Sequence, residues 1–505
     1  MKRSLLLLLT LAGDYPTHAQ VRTDTTYAQA WRPQVHFSAK KNWLNDPNGL
    51  VFFKGEYHLF YQHNPQGIRW GHMSWGHAVS RDMLNWQELP IAITEEPAKD
   101  NPKDTIMAFS GSCVIDKNNT AGFGKNAMVA IYTGHRKGNQ SQFLAYSLDR
   151  GRTFNRYEGN PVLDRKQADF RDPNVFWHEG VKRWIMTVVL PHEQRALIYH
   201  SKNLKDWTEV SSFQVKNSAL GIWECPALLP VPVTGSPTVS KWVLLQSVGS
   251  GAVAGGSCMQ YFVGDFDGTR FKSQDTTTRW VDYGRDYYAA IPVGNLAKAI
   301  TIGWMNNWQY AQDVPTTPFR SAMTLPRELS LIKTVSGYVL SQQPVAQFNQ
   351  LYADKGVTQL RHEDPKAIIS GYVTGLQNAP FEVSIDVNQG EFRVGLQYGT
   401  AEKTVIGYDP ARNELYVDRS QSGVLVNKTT YPPRTAAPIS WNGPADAPKM
   451  QTLRIIVDRS SVEVFTADGR TVLTNQIFPT GTLRGISVDG QVDRMQVRRL
   501  MSVWR

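Results

Sequence analysis

The amino-acid sequence predicts an all-β protein: a five-bladed β-propeller over residues 30–335 and a β-sandwich over 355–505, joined by a linker with a short helix over 336–354. Three observations predict it. At 505 residues the chain is longer than one hydrophobic core usually serves, so two domains are the default. From Trp31 onward, short apolar or alternating runs are separated by Gly, Pro, Asn and Asp, with no long amphipathic helical run in the first 330 residues. A weak repeat also recurs, in which a strand-length run enters a polar turn and then meets an aromatic residue.

The runs 57–61, 127–132 and 184–189 are of strand length, partly aromatic or β-branched, and bounded by turn residues. The repeat closes first at Ser80-Arg81-Asp82-Met83-Leu84-Asn85-Trp86 and next at Ser147-Leu148-Asp149 with Phe154. It closes again at Ser201-Lys202-Asn203-Leu204-Lys205-Asp206-Trp207, and a fourth time at Gly264-Asp265-Phe266-Asp267 with Phe271. Multi-stranded units repeating every few tens of residues are the signature of a propeller. A fifth unit fits before Leu331 and contains Ile300-Thr301-Ile302-Gly303-Trp304. Residues 344–351 suit a short connecting helix. Beyond them, 381–387 and 392–396 alternate as half-buried strands. Runs 453–458 and 461–465 flank a turn at Arg459-Ser460, and Asp468-Gly469 marks another hairpin turn. Spaced antiparallel strands of this kind suit a sandwich.

Composition narrows the function. The formal charge of +10 is spread among acidic residues without a dense basic run, which argues against a nucleic-acid partner. The 15 Trp and 20 Tyr suit stacking on sugar faces as well as β-rich cores. Lys2 and Arg3, the apolar run 5–9 and the small and polar residues up to Ala19 predict a secretory signal over 1–19, and with it export to a periplasm or the medium. That run is too short to span a bilayer, and no cysteine near the cleavage site could carry a lipid, so no membrane anchor is expected. Cys113, Cys225 and Cys258 make neither a disulfide framework nor a zinc spacing. His58, His63, His72 and His77 cluster in sequence, and packing at strand edges or a pocket rim is expected of them. Neither a metal nor another cofactor is expected.

The stretch around Asp46 carries the chemistry. Pro47 steers Asp46 away from helical conformation, and Asn48 and Gly49 tolerate positive φ. The segment reads as a tight turn presenting one carboxylate at the mouth of a strand. An Asx-turn without chemistry would look the same, but Asp-Pro-Asn recurs at Asp172-Pro173-Asn174. Glu224 holds a similar place in Trp223-Glu224-Cys225-Pro226. The innermost strands of a propeller line one channel, so carboxylates at equivalent positions would converge there. Glycosidic cleavage needs a carboxylate beneath the anomeric carbon and a carboxylic acid beside the leaving oxygen. Crowded acids push one pKa upward, which keeps the donor protonated. Asp46 suits the nucleophile and Glu224 the acid/base, while Asp172 would bind hydroxyls or stabilise positive charge on the ring.

The set Trp43-Leu44-Asn45-Asp46-Pro47-Asn48-Gly49, Phe109-Ser110-Gly111-Ser112, Arg171-Asp172-Pro173 and Glu224-Cys225-Pro226 resembles glycoside hydrolase family 32, the invertases, inulinases, levanases and related fructosidases. The resemblance covers nearly the whole mature chain. It implies a five-bladed propeller followed by a β-sandwich, and Asp458-Arg459-Ser460-Ser461-Val462-Glu463-Val464-Phe465 resembles a motif of the second domain. It implies a retaining mechanism with Asp46 as nucleophile, Asp172 as transition-state stabiliser and Glu224 as acid/base. It also places Asn45, Gln62, Trp70, Phe109, Ser110, Arg171 and Tyr288 around a fructose pocket. Leu44 stands where the family often has Met, a volume-conserving change. Trp70-Gly71-His72-Met73-Ser74-Trp75-Gly76-His77 and Asn307-Trp308-Gln309-Tyr310 resemble exo-acting inulinases and levanases, and some invertases. The expected partner is a β-fructan or fructo-oligosaccharide, with sucrose a further candidate. A fructosyltransferase, an endo-acting levanase and a non-catalytic carbohydrate-binding propeller are the alternatives. The sequence does not speak to oligomeric state.

Overall fold

The computed structural model describes residues 27–215, 221–273, 277–360, 370–427, 429–441 and 449–504. The expected export signal, 1–19, lies outside them. Among the described residues the first domain forms five antiparallel blades. Their innermost strands are Asn42–Phe53, Thr105–Asp116, Arg171–His178, Trp223–Val233 and Tyr288–Pro292. The ring closes where Phe319–Arg320, from the fifth blade, pairs in parallel with Asn42 and Trp43 of the first.

The sequence repeat is the turn between the third and fourth strands of a blade. In the first blade Ser80 Oγ accepts from the Met83 amide at 2.9 Å, and Trp86 Nε1 donates to the Met83 carbonyl at 2.9 Å. In the third blade Ser201 Oγ accepts from the Asn203 amide at 3.1 Å, and Trp207 Nε1 donates to the Leu204 carbonyl at 2.9 Å. Met83 and Leu204 take positive φ of 66° and 63°, a cost these side-chain bonds offset. The shared hydrogen bonding explains why Ser, Asp or Asn, and Trp recur at these spacings.

Two sequence boundaries move. Gly337–Pro344 pairs along its length with Arg327–Thr334 as the outer strand of the fifth blade, so it takes up the first half of the expected linker. Its Ser341 and Gln342 hide the strand pattern, because both are buried through hydrogen bonds rather than through apolar surface. The connecting helix is a 3₁₀ turn, Ala346–Leu351, which buries Phe348 and Leu351. In the second domain the expected pair of strands over 381–396 is one strand, Phe381–Tyr398, with a register shift between Val387 and Phe392. Its first half pairs with Met450–Asp458 and its second with Glu402–Asp409, which lets one strand serve both layers of the sandwich. A short helix, Ser370–Leu376, packs Val373 and Leu376 into the sandwich core.

The domains meet over buried charge. Arg327 donates to Asp282 at 2.9 Å and to Glu463 at 2.6 Å, and His36 bridges Asp458 at 2.8 Å and Glu463 at 3.1 Å. All five side chains are fully buried. Burial alone would depress His36, but hydrogen bonds to Asp458 and Glu463 raise its pKa to about 9. Burial also opposes ionisation of the two carboxyls, yet for Asp458 the contacts with His36, and for Glu463 the charge of Arg327, hold them below the usual range. The motif at 458–465 is therefore the sandwich's half of an interdomain clamp.

The histidine cluster packs. Burial pushes His58 and His63 down to about 4 and His77 well below its ordinary value, so these rings are neutral. His77 stacks on Phe60 with centroids 4.1 Å apart, while exposed His72 meets Glu95 at 2.7 Å. Among the described residues no His, Cys, Asp and Glu group has a metal-holding arrangement, and no helix is long and apolar enough to cross a membrane.

Candidate active site

Each innermost strand carries a β-bulge near its start, where two residues face one on the neighbouring strand. The shifts fall between Leu44 and Pro47, Ala108 and Gly111, Arg171 and Asn174, Glu224 and Ala227, and Tyr288 and Ile291. A bulge turns successive side chains away from strict alternation, so each blade can aim polar groups at the channel. Asp172, Cys225 and Ala289 pass through the bulges at φ of 65°, 47° and 50°, a strained region for residues with a Cβ.

The register corrects two sequence expectations. The Asp46 segment is not a turn: it lies inside Asn42–Phe53, and a second irregularity between Asn48 and Val51 accommodates Gly49 at φ 53°. A Cβ at Gly49 would lie 2.8 Å from the Phe60 ring, so the strand needs glycine there. The three carboxylates are also not at equivalent positions. Glu224 is the last paired residue before its bulge, Asp172 the first residue within one, and Asp46 the second. The staggering brings acids from three strands together at one end of the channel.

Asn45, Asp46, Gln62, Trp70, Phe109, Ser110, Arg171, Asp172 and Glu224 line one cavity of about 340 Å³. Tyr288 reaches it by donating its hydroxyl to Glu224 Oε2. Asp46 Oδ2 accepts from Ser110 Oγ at 2.7 Å, whereas Oδ1 has no hydrogen-bond partner among the described residues. Asp172 Oδ2 accepts from the Cys225 amide at 3.0 Å, and the Cys225 thiol lies 3.7 Å from both Asp46 and Asp172. Arg171 brackets Glu224 Oε1 with Nε at 3.2 Å and Nη2 at 3.0 Å. Trp43 Nε1 fixes Asn45 Oδ1 at 2.7 Å, and Gln62 Nε2 donates to the Ala108 carbonyl at 3.0 Å.

The electrostatics differ from a simple crowding picture. Burial pushes Asp46 up to about 6, with the Glu224 charge adding to it and Ser110 opposing it. Asp172 is also raised, by burial against the pull of Arg171, with the charges of Glu224 and Asp46 adding to the rise. Burial thus raises both aspartates.

His135, Gln140, Asp169, Trp308 and Cys225 join the site without having been chosen from sequence. Phe109 stacks on His135 with centroids 4.4 Å apart, and Asp169 accepts from Arg171 Nη1 at 2.7 Å. Asp169, two residues before Arg171, and Cys225, beside Glu224, were within reach of the motifs. Trp308 was visible only as an aromatic in a resembling stretch. Nothing local distinguishes His135 or Gln140.

Two family models match the chain: the Glycosyl hydrolases family 32 N-terminal domain over residues 36–344 and the Glycosyl hydrolases family 32 C terminal over 347–503. The levanase of Bacillus subtilis (strain 168) is 44% identical, covering 99% of this chain and 74% of the levanase. The extracellular exo-inulinase of Aspergillus niger is 38% identical, covering 95% of this chain and 96% of that enzyme. The crystal structure of an Aspergillus awamori exo-inulinase superposes with a TM-score of 0.87 at 36% identity, over 95% of this chain and all of the other. A Schwanniomyces occidentalis β-fructofuranosidase, complexed with fructosyl-erythritol, superposes with a TM-score of 0.85 at 33% identity, over 96% of this chain and all of the other.

Proposed function

The chain belongs to family 32 of the glycosyl hydrolases, and from that premise we propose that it is a retaining exo-glycosidase releasing terminal β-D-fructose from fructans such as levan and inulin, and from sucrose. The observation that carries this reading is the single cavity holding Asp46, Asp172 and Glu224.

Asp46 attacks the anomeric carbon of the terminal fructosyl unit through Oδ1, the oxygen that no protein donor occupies. Ser110 holds the other oxygen in place. Glu224 gives its proton to the glycosidic oxygen as the bond to the leaving sugar breaks, leaving a fructosyl ester on Asp46. Asp172 lies within contact of the same thiol as Asp46, and its charge favours the oxocarbenium-like transition state on the ring. Glu224, now a carboxylate, takes a proton from water, which attacks the same carbon and frees fructose and Asp46. Arg171 and Tyr288 hold Glu224 in place for both steps.

A pocket lined by Trp308 and the partly exposed Trp70 together with the three carboxylates suits a chain end. The exo-inulinase relatives are named extracellular, which supports a place outside the cytoplasm for this enzyme. The test is a time course on sucrose, kestose, inulin and levan with products resolved. Free fructose from the first time points is expected. A ladder of oligosaccharides from inulin or levan would sink the exo reading, and longer products at high sucrose would favour transfer.

A further inference from the structure

The pocket wall at Trp308 belongs to the connection between Ile300–Met305 and Phe319–Arg320, and groups remote from the carboxylates hold that connection from behind. Trp308 packs on Trp43 and Trp304, with ring centroids 6.1 Å and 4.7 Å away, and its buried Nε1 has no partner among the described residues. Trp43 in turn holds Asn45, so the aromatic cluster reaches the residue next to Asp46. Immediately beyond Trp308, Gln309 Oε1 accepts from the guanidinium of Arg285. The same guanidinium donates to the Ala254 carbonyl at 2.7 Å, in a loop of the fourth blade, and to the Thr430 carbonyl at 2.8 Å, in the sandwich. Asn307 Nδ2 donates to the Arg285 carbonyl at 2.8 Å, and the Trp308 amide donates to Ser257 Oγ at 3.2 Å. Packing is tight enough that a Cβ on Gly255 would lie 2.5 Å from Arg285 Nη1.

The same connection has a second tie to the sandwich. Tyr310 donates to Asp286 at 2.5 Å, and Asp286 accepts from Arg419 Nη1 at 3.1 Å and from the Gln476 amide at 2.7 Å. The segment carrying Trp308 is thus fastened to the second domain through Gln309 and through Tyr310.

We propose that Arg285 is a positioning residue for the sugar pocket, through which the β-sandwich sets where Trp308 stands against the terminal sugar. A planar fork of fixed donors can hold three oxygens on three separate segments in one geometry, which a flexible ammonium matches only in part. Trp308 flanks the sugar instead of supplying a reacting group, so its displacement weakens binding in the ground and transition states alike and appears mainly in KM. The inference rests on the fructosidase reading above.

The test compares full-length wild type, Arg285→Met, Arg285→Lys, Trp308→Phe and the Arg285→Met/Trp308→Phe double variant in steady-state hydrolysis of sucrose and kestose. Arg285→Met is expected to raise KM on the order of tenfold with kcat changed less than about threefold, and Arg285→Lys to recover part of the loss. The double variant is expected to match Trp308→Phe to within about twofold, because two residues acting through one contact are not additive. An unchanged KM in Arg285→Met, or effects that multiply in the double variant, would overturn the proposal. Gln309→Ala, on an exposed side chain, carries the same test if Arg285→Met does not fold: a raised KM supports the proposal and an unchanged one overturns it. No fructose release by the wild type would overturn the functional reading itself, and this inference with it.

Discussion

The protein gathers two clusters of carboxylates, and they differ in their supply of positive charge. At the domain interface, Asp282, Asp458 and Glu463 meet Arg327 and His36 in direct ion pairs; Asp458 and Glu463 are held below the usual range, while burial raises Asp282 against the pull of Arg327. At the propeller mouth, Arg171 is the close cation of Asp172 and Glu224 but forms no ion pair with Asp46, and both aspartates are pushed up. Residue types are similar, but the supply of positive charge differs. A buried carboxylate matched by a cation and hydrogen bonds clamps a structure, whereas an undersupplied one stores chemical potential for a reaction.

The largest test of this contrast exchanges the losses. Asp46→Asn is expected to lower kcat/KM on the order of 10⁴-fold or more, with a thermal midpoint equal to or above that of the wild type. Glu463→Ala is expected to do the reverse, costing about 3–5 kcal/mol in denaturant unfolding while activity per folded molecule stays close to normal. If Asp46→Asn unfolded the protein, or Glu463→Ala were silent in stability, the distinction would fail.

The pH dependence sharpens it. Asp46 binds its proton more tightly folded, at about 6, than its ordinary value of 3.8, so its contribution favours the fold at low pH and is lost between those values as pH rises. Asp458 and Glu463 have depressed values, so their contribution is present above the usual carboxylate range and lost on acidification. His36 contributes fully below 6.5, and that contribution is lost as pH rises towards about 9. Thermal melts across pH should therefore show Asp46→Asn losing part of the wild-type decline between pH 4 and 6, with the decline above pH 6.5 unaltered. In the wild type, kcat/KM should fall on the acid side of about pH 6, as Asp46 takes up its proton.

The smallest expected effect is at Tyr288. Tyr288→Phe removes one donor to Glu224 and leaves the ring in place, so a loss of about 10- to 100-fold in kcat/KM is expected, matching one charge-assisted hydrogen bond. A loss as large as that of Asp46→Asn would mean Tyr288 touches the reacting atoms.

Much of the fold was legible because its causes are local. Alternation with period two marks strands, and the Ser-x-Asp or Ser-x-Asn turns ending in Trp repeat because each fills its own hydrogen bonds. The outer strand Gly337–Pro344 was not legible, since its buried Gln342 bonds the Val281 carbonyl and Arg327 from other strands. At the site, the motifs singled out the acids but misjudged their register. A bulge depends on the pairing of two strands, and Asp46 in its strand shows no mark of the partner that skips it. His135 and Gln140 come from the second blade, where neither has a motif nearby.

By itself the sequence determined that the chain folds as β-strands in repeated units and singled out the three acids that the proposed reaction uses, because short-range periodicity, proline and glycine limit each segment separately. Only the tertiary structure decided that the two aspartates are raised, that Arg171 serves Asp172 and Glu224, and that the sandwich stands behind Trp308. Burial and Coulomb energy depend on neighbours in space, and those neighbours come from blades and a second domain far apart along the chain.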